Sequence, residues 1–396
     1  MSMDDDRVVK FPVILKRYRF RDEITIPRRP WLMRGLLMRG HVTTLLAAGG
    51  VGKSNFGLTI GLHMCAGKQF GPFRPDQRYK VAVLSVEEDE AELDRRLHAI
   101  RRVFNFDQND AANLFIVQTM GEPLLAVANQ KGTVRATKIA EDLETLCFRE
   151  GIDLVIIDPF IEVWLGMEND NTQVRQAAGI IRQMIRRINA SCLLMHHVKK
   201  GGVTPGDIDA SRGASSLAGL VRVGFTLTNM TADDAQQLNI PSPAGLIRAD
   251  AAKGNYMPAA EKAHWFEFKE IKLDNADDAS GKPGDGVGVL VPWSPPGLFE
   301  GVSYEAIDEI LAKISAGIDG GKERYTLAPQ SKDRFAGLVV VDVLQCSDEK
   351  ASRIIKVWKK SGLLYETEYL SFATRKGKKG AVVDASKRPS ATVEEV

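Results

Sequence analysis

The sequence predicts an α/β doubly wound domain followed by a smaller helical domain. Three observations predict it. Short apolar runs alternate with amphipathic stretches from Gly40 to about Leu273. A glycine-rich turn joins the first strong run to a helix. A stretch rich in Asp, Gly and Ala at 274–288 separates this region from a helix-rich remainder.

The apolar runs are 42–47, 81–86, 114–117, 154–157, 192–195 and 223–227. Continuous runs of Val, Ile and Leu suit strands buried on both faces of a parallel sheet. The stretches 53–66, 90–104, 137–150 and 173–189 have helical patterning and suit crossover helices. Residues 1–29, charged and broken by Pro12 and Pro27, read as an N-terminal arm, and 30–273 as the α/β domain. Residues 274–299 read as a linker by their Gly and Asp content. Within 300–374, helices are expected over 303–315, 332–344 and 347–361. Ser347 and Asp348 are the candidate caps of the last helix, Gly362 is its stop, and LLYETEYLSF supplies strands. Helices followed by a hairpin give a winged-helix-like outline. The Lys-, Gly- and Ser-rich stretch 375–396 reads as a disordered basic tail.

At 396 residues, and roughly 150 residues per domain, two or three domains are expected. Hydrophobic residues at 44% and charged residues at 26% exclude a wholly disordered or fibrous chain. A formal charge of +2 excludes a strongly basic nucleic-acid coat, so nucleic-acid contacts must come from local patches. Cys65, Cys147, Cys192 and Cys346 lie far apart without a CxxC pair, which argues against zinc or a disulfide framework and fits a reducing cytoplasm. No apolar run reaches membrane-spanning length, and the N-terminus lacks the apolar core of a secretion signal.

The strongest chemical signal is Ala47-Ala48-Gly49-Gly50-Val51-Gly52-Lys53-Ser54, after a strand and opening a helix at Asn55. That is the context of a P-loop. Gly49, Gly50 and Gly52 let the backbone curl so that N–H groups face a phosphate, and the helix N-terminus adds positive potential. Lys53 reaches the β- and γ-phosphates of ATP, and the Ser54 hydroxyl ligates Mg²⁺. Ala47 stands where the motif has its first glycine. Leu154–Ile157 ends in Asp158, a Walker B pattern for holding Mg²⁺, and a parallel sheet puts that carboxylate beside Lys53. The run at 81–86 ends in Glu87-Glu88-Asp89-Glu90; Glu87 is the first choice for the base that orients water, Glu88 and Asp89 being candidate helix caps. His196 and His197 end a later strand, where one of them can feel the γ-phosphate. Lys199 and Lys200 follow at the base of a Gly-rich loop that can track a nucleic-acid backbone. Arg212 and Arg222 are candidates for an arginine supplied to a neighbour's nucleotide, and Lys253-Gly254-Asn255-Tyr256 is a further basic turn.

In order, PRRPWLMRGLLMRGHVTTLLAAGGVGKS, VAVLSVEEDE, DLVIIDP, CLLMHHVKKGG, SRGASSLAGLVR and AKGNY resemble the RepA-type hexameric replicative helicases among the RecA-like ATPases. The resemblance covers about 27–268. It implies a RecA-like, mostly parallel twisted sheet flanked by helices, ATP and Mg²⁺ between subunits of a homo-hexamer or other ring, and single-stranded DNA in the channel. It implies that Glu87 or Glu88 is the catalytic base, His197 the histidine beside the phosphates, and Arg212 or Arg222 the finger. The last hundred residues depart from the shortest members; a winged helix at 300–374 is similar to those of replication initiators that bind duplex DNA. The alternatives are a RecA-like switch, an initiator whose ATPase controls assembly, and, more remotely, a small-molecule kinase.

Overall fold

The computed structural model describes residues 16–119, 121–198, 203–208, 217, 219, 221–238, 240–256, 263–276, 282–331 and 333–389. Lys199, Lys200 and Arg212 lie outside these residues. Most of the first 300 residues wrap a nine-stranded sheet. Its strands are β1 (Val42–Ala48), β2 (Val81–Ser85), β3 (Leu114–Ile116), β4 (Leu154–Asp158), β5 (Ser191–Val198), β6 (Val223–Asn229), β7 (Leu246–Gly254), β8 (His264–Lys272) and β9 (Gly286–Trp293). They lie in the order β9-β8-β7-β6-β1-β5-β4-β2-β3. From β6 to β3 all neighbours are parallel; β7, β8 and β9 form an antiparallel meander on the β6 edge. This is the mostly parallel α/β sheet, of RecA-like order, that the sequence predicts.

The flanking helices are α1 (Lys53–Ala66), α2 (Glu90–Phe104), α3 (Lys138–Glu150) and α4 (Asn171–Arg187). Alternate residues of β5 show why its sequence reads as one apolar run. Leu193 and Met195 join the core on one face, with Phe56, Phe225 and Phe266, while Cys192 and Leu194 join Val155, Ile157 and Ile181 on the other. Capping residues set the helix starts: Asp89 accepts from the Glu92 N–H at 2.7 Å, and Thr137 and Asp170 cap α3 and α4. Asp89, not Glu88, therefore caps α2.

The segment 274–299, read as a linker, instead contains β9. Val287, Val289, Leu290 and Val291 are buried, and Gly286 to Trp293 pair in register with Lys272 to Trp265. Apolar burial outweighs the turn-rich composition just before the strand.

Beyond residue 300 lies a separate core. Here α5 (Ala232–Leu238) belongs to the sheet unit, and α6 (Tyr304–Ala316), α7 (Gly337–Leu344) and α8 (Asp348–Ser361) pack around Ile310, Ile314, Val340, Ile354, Trp358 and Leu364. Helix α7 begins five residues later than expected. The backbone before it pairs instead with Thr326, through Thr326 N–H to the Arg334 carbonyl at 2.8 Å and Ala336 N–H to the Thr326 carbonyl at 2.9 Å. Ser347 caps α8 and Gly362, at φ +76°, ends it. A hairpin follows, β10 (Leu364–Leu370) with β11 (Gly377–Val383). The stretch 375–396, read as disordered, thus contains a strand, because Ala381 and Val383 return to the core between the lysines.

Of the arm, residues 16–29 are exposed, and Arg29 lies over the Tyr256 ring at 5.3 Å and donates to its carbonyl at 3.0 Å. The thiols of Cys65, Cys147 and Cys192 are buried and free. Among the described residues no helix is long and apolar enough to cross a membrane.

His63 on α1 is buried in a cage of Phe70, Phe104 and Phe106. Burial pushes its imidazole down to about 4, against the opposing effect of the Lys68 carbonyl. The folded value lies below the unfolded 6.5, so the stability it contributes is full above that pH and is lost as pH falls towards 4. The loss should reach about 3 kcal/mol. Denaturant titrations at pH 7.5 and pH 4.5 should therefore show a smaller acid loss in His63→Gln than in the native chain.

Candidate nucleotide site

The phosphate loop leaves β1 at the carboxyl end of the parallel strands, where ligand crevices form. Gly50 and Gly52 have φ of +80° and +95°, the left-handed region. A Cβ on Gly52 would also come within 2.4 Å of the Phe268 ring. Helix α1 then starts at Lys53, and Ser54 is its one residue that is not buried. Val51 packs into the core, so what it offers the loop is backbone.

Strand order brings the acidic groups to this loop. Strand β5 lies between β1 and β4, with His197 opposite Ala47 and His196 opposite Leu46. Ser85 of β2 lies opposite Asp158 of β4, so Glu87 and Glu88 leave the sheet next to that carboxylate. The Lys53 ammonium is bonded to Asp158, the two side chains being 3% and 7% exposed. Glu87 is 43% exposed and faces His197, whose Nε2 lies 3.1 Å from Oε1. Glu88 is turned inward: one oxygen meets Arg96 at 2.5 Å, and Oε2 is buried without a hydrogen-bond partner. Burial raises its carboxyl above the usual range; Arg96 opposes this, and Asp158 adds to it. His196 is buried, and burial, helped by His197 and Lys53, pushes it down to about 4, so it is neutral near pH 7.

Lys53, Glu87, Glu88 and His197 line a cavity of about 560 Å³ with Gly50, Gly52, Ser54 and Asn55, and Asp158 lies behind it, bonded to Lys53. Gly49 has open space where a Cβ would stand. The sequence-expected residues Gly50, Gly52, Lys53, Ser54, Glu87, Glu88, Asp158 and His197 thus meet in one place. Arg222 does not: it is exposed just before β6, whose first residue pairs with Thr43 at the start of β1. It sits at the end of the sheet opposite the phosphate loop.

Asn55 has a different employment from the one expected. Its amide donates to the Gly288 carbonyl at 2.7 Å and accepts from the Leu290 N–H at 2.8 Å, bracing β9 against α1. Its side-chain amide is thus taken up by β9, and what Asn55 offers a nucleotide is backbone. Asn55→Ala leaves the buried Leu290 N–H without its partner and should cost about 1 to 2 kcal/mol in denaturant unfolding. Sequence reasoning also missed Arg95, Arg96, Phe268 and Asp285, which line the same cavity. The run VGVLVPW at 287–293 was the available signal for the last of these, since it places a strand just after Asp285.

The donor set fits Mg²⁺. Ser54 supplies a hydroxyl in the cavity wall, Asp158 a carboxylate held on Lys53, and Glu88 a buried oxygen without a partner. Among the described residues no group of three or more His, Cys, Asp or Glu forms a metal cage. Mg²⁺ suits that arrangement, since it keeps waters and takes phosphate oxygens with one or two protein ligands.

Residues 14–203, a little under half of the chain, match a family described as an AAA domain. The match takes in the phosphate loop, Glu87, Glu88, Asp158 and His197. No curated protein matches the chain. Phosphate loop, acidic strand end and strand order together make this a P-loop NTPase domain with a RecA-like fold.

Proposed function

We propose that the chain is an ATP-hydrolysing, ring-forming motor on single-stranded DNA, a replicative helicase of a plasmid, phage or mobile element. The observation that carries this reading is the His197–Glu87 contact at 3.1 Å. It links a nucleotide-facing carboxylate to β5, and β5 runs straight into Lys199 and Lys200.

In this reading Lys53 turns from Asp158 to the β- and γ-phosphates, and the loop N–H groups hold their oxygens. Ser54 and Asp158 would hold Mg²⁺, which would supply positive charge against those phosphates. Glu87 accepts a proton from the attacking water, being the carboxylate with open access to the cavity. Glu88, pinned by Arg96, orders water around Asp158. His197 reports the presence of the γ-phosphate through Glu87 to the lysines that follow. Arg222 sits far from its own subunit's phosphate loop, so a role for it, or for Arg212, requires a neighbour's nucleotide.

The alternative, a switch or initiator that binds duplex DNA without unwinding, draws on the separate helical core with its basic hairpin. Steady-state hydrolysis with Mg²⁺, with and without single-stranded DNA, separates the two. The motor predicts at least about tenfold stimulation and a ring by native mass measurement. Hydrolysis indifferent to single strands, in a chain that does not assemble, would overturn it.

A further inference from the structure

The turn between β10 and β11 is held more tightly than its position at the edge of the fold requires. Glu323, from a different loop, accepts bonds from the Ser371 hydroxyl, the Tyr369 hydroxyl at 2.6 Å and the Ala373 N–H at 3.2 Å, and lies 3.4 Å from the Lys378 ammonium. The first two of these hold its carboxyl well below the usual range, at about 2. Two cross-turn backbone bonds close the loop: Ser371 N–H to the Lys376 carbonyl at 3.0 Å, and Arg375 N–H to the Ser371 carbonyl at 2.8 Å. The product of this ordering is outward display. Phe372 is 72% exposed, with Leu370 exposed beside it. The Lys322 ammonium stands 5.8 Å from the Phe372 ring, and Arg375 and Lys376 are exposed in the same turn.

A largely exposed aromatic ring in an ordered turn, with the Lys322 ammonium over it and two more cations in the same turn, has the chemistry of a stacking platform for bases with their phosphates on the cations. The helix that would read a duplex is less free. Arg353 of α8 donates to the Gln237 carbonyl at 3.0 Å, and Glu349 accepts from the Gln236 amide at 3.1 Å, so its first turns face α5.

We propose that the β10–β11 turn is a second contact for single-stranded nucleic acid, with a base stacked on Phe372 and phosphates on Lys322, Arg375 and Lys376. It rests on the nucleic-acid half of the reading above and not on hydrolysis.

The test uses the full chain without nucleotide, so that failure of the ATPase assignment leaves it intact. Phe372→Trp places a fluorophore on the exposed turn. Its added emission, relative to the native chain, should be quenched by a 20-residue oligothymidylate at low salt and recover as salt is raised. Phe372→Ala, at a largely exposed site, should fold normally and weaken oligothymidylate binding by severalfold to about tenfold. The quenching reads contact at this turn even where the 199–200 lysines set the total affinity. Absence of quenching overturns the proposal. Quenching by a blunt duplex but not by the single strand also overturns it, and makes the turn a duplex contact instead.

Discussion

Lys53→Ala should abolish ATP hydrolysis and destabilise the chain in the same step. The catalytic loss follows from charge. The loop backbone alone then faces the phosphates, and losing one preorganised donor costs about 10² to 10³ in rate, with a full charge at the upper end. The stability loss follows from burial. Lys53 and Asp158 are 3% and 7% exposed, so removing the ammonium strands a carboxylate in the interior, at about 3 kcal/mol. The two effects separate on adding Asp158→Asn. The double variant should regain most of the denaturant resistance and none of the hydrolysis. Normal turnover in Lys53→Ala would sink the phosphate-loop assignment. An unchanged unfolding midpoint would mean that water reaches Asp158.

Glu87→Gln should keep ATP binding and lose about 10² to 10⁴ in turnover, the usual worth of a positioned base. Nucleotide binding, followed with a fluorescent ATP analogue, separates this from a folding defect, because Glu87 is 43% exposed and supports no core. Glu88→Gln should fold well, since burial already favours the neutral form of that side chain, and Arg96 retains Glu92 at 2.8 Å. Its turnover should fall less. The reverse ranking would move the base to Glu88, whose unpartnered oxygen would then hold the water. His197→Asn should fall between them and blunt any stimulation by single-stranded DNA, since Glu87 would lose its link to β5.

The parallel half of the sheet was legible because burial on both faces leaves an unbroken run of Val, Ile and Leu. The ends of α1 and α2 were read to the residue, for Lys53 follows the loop and Asp89 and Asn105 flank α2. The meander edge was harder. Strands β8 and β9 carry Glu267, Lys269, Glu270 and Gly288 among their apolar residues, so no unbroken apolar run appears, and DNADDASGKPGDG pulls the reading towards a linker. The helical core after residue 300 was legible in its helices but not in its last strand, where Gly377, Lys378, Lys379 and Gly380 precede the buried Ala381. At the site, residues on the phosphate loop and strand ends were readable because chemistry and position coincide there. Phe268, Arg96 and Asp285 reach the cavity from elements distant in sequence. No local pattern announces such a meeting.

The bond between Asn55 and β9 has a consequence for the order in which the protein is made. The helix that opens the nucleotide site leaves the ribosome 233 residues before the strand that braces it. At 5 to 20 residues per second the wait is roughly 10 to 50 seconds. Through that interval the nascent α1 presents Phe56 and its neighbours without the wall that Val289 and Leu290 later provide. The helix that opens the site is therefore unbraced until synthesis has passed residue 293, and a chain released at residue 203 would carry Glu87, Glu88 and Asp158 on their strands and still lack the partner that fixes Asn55.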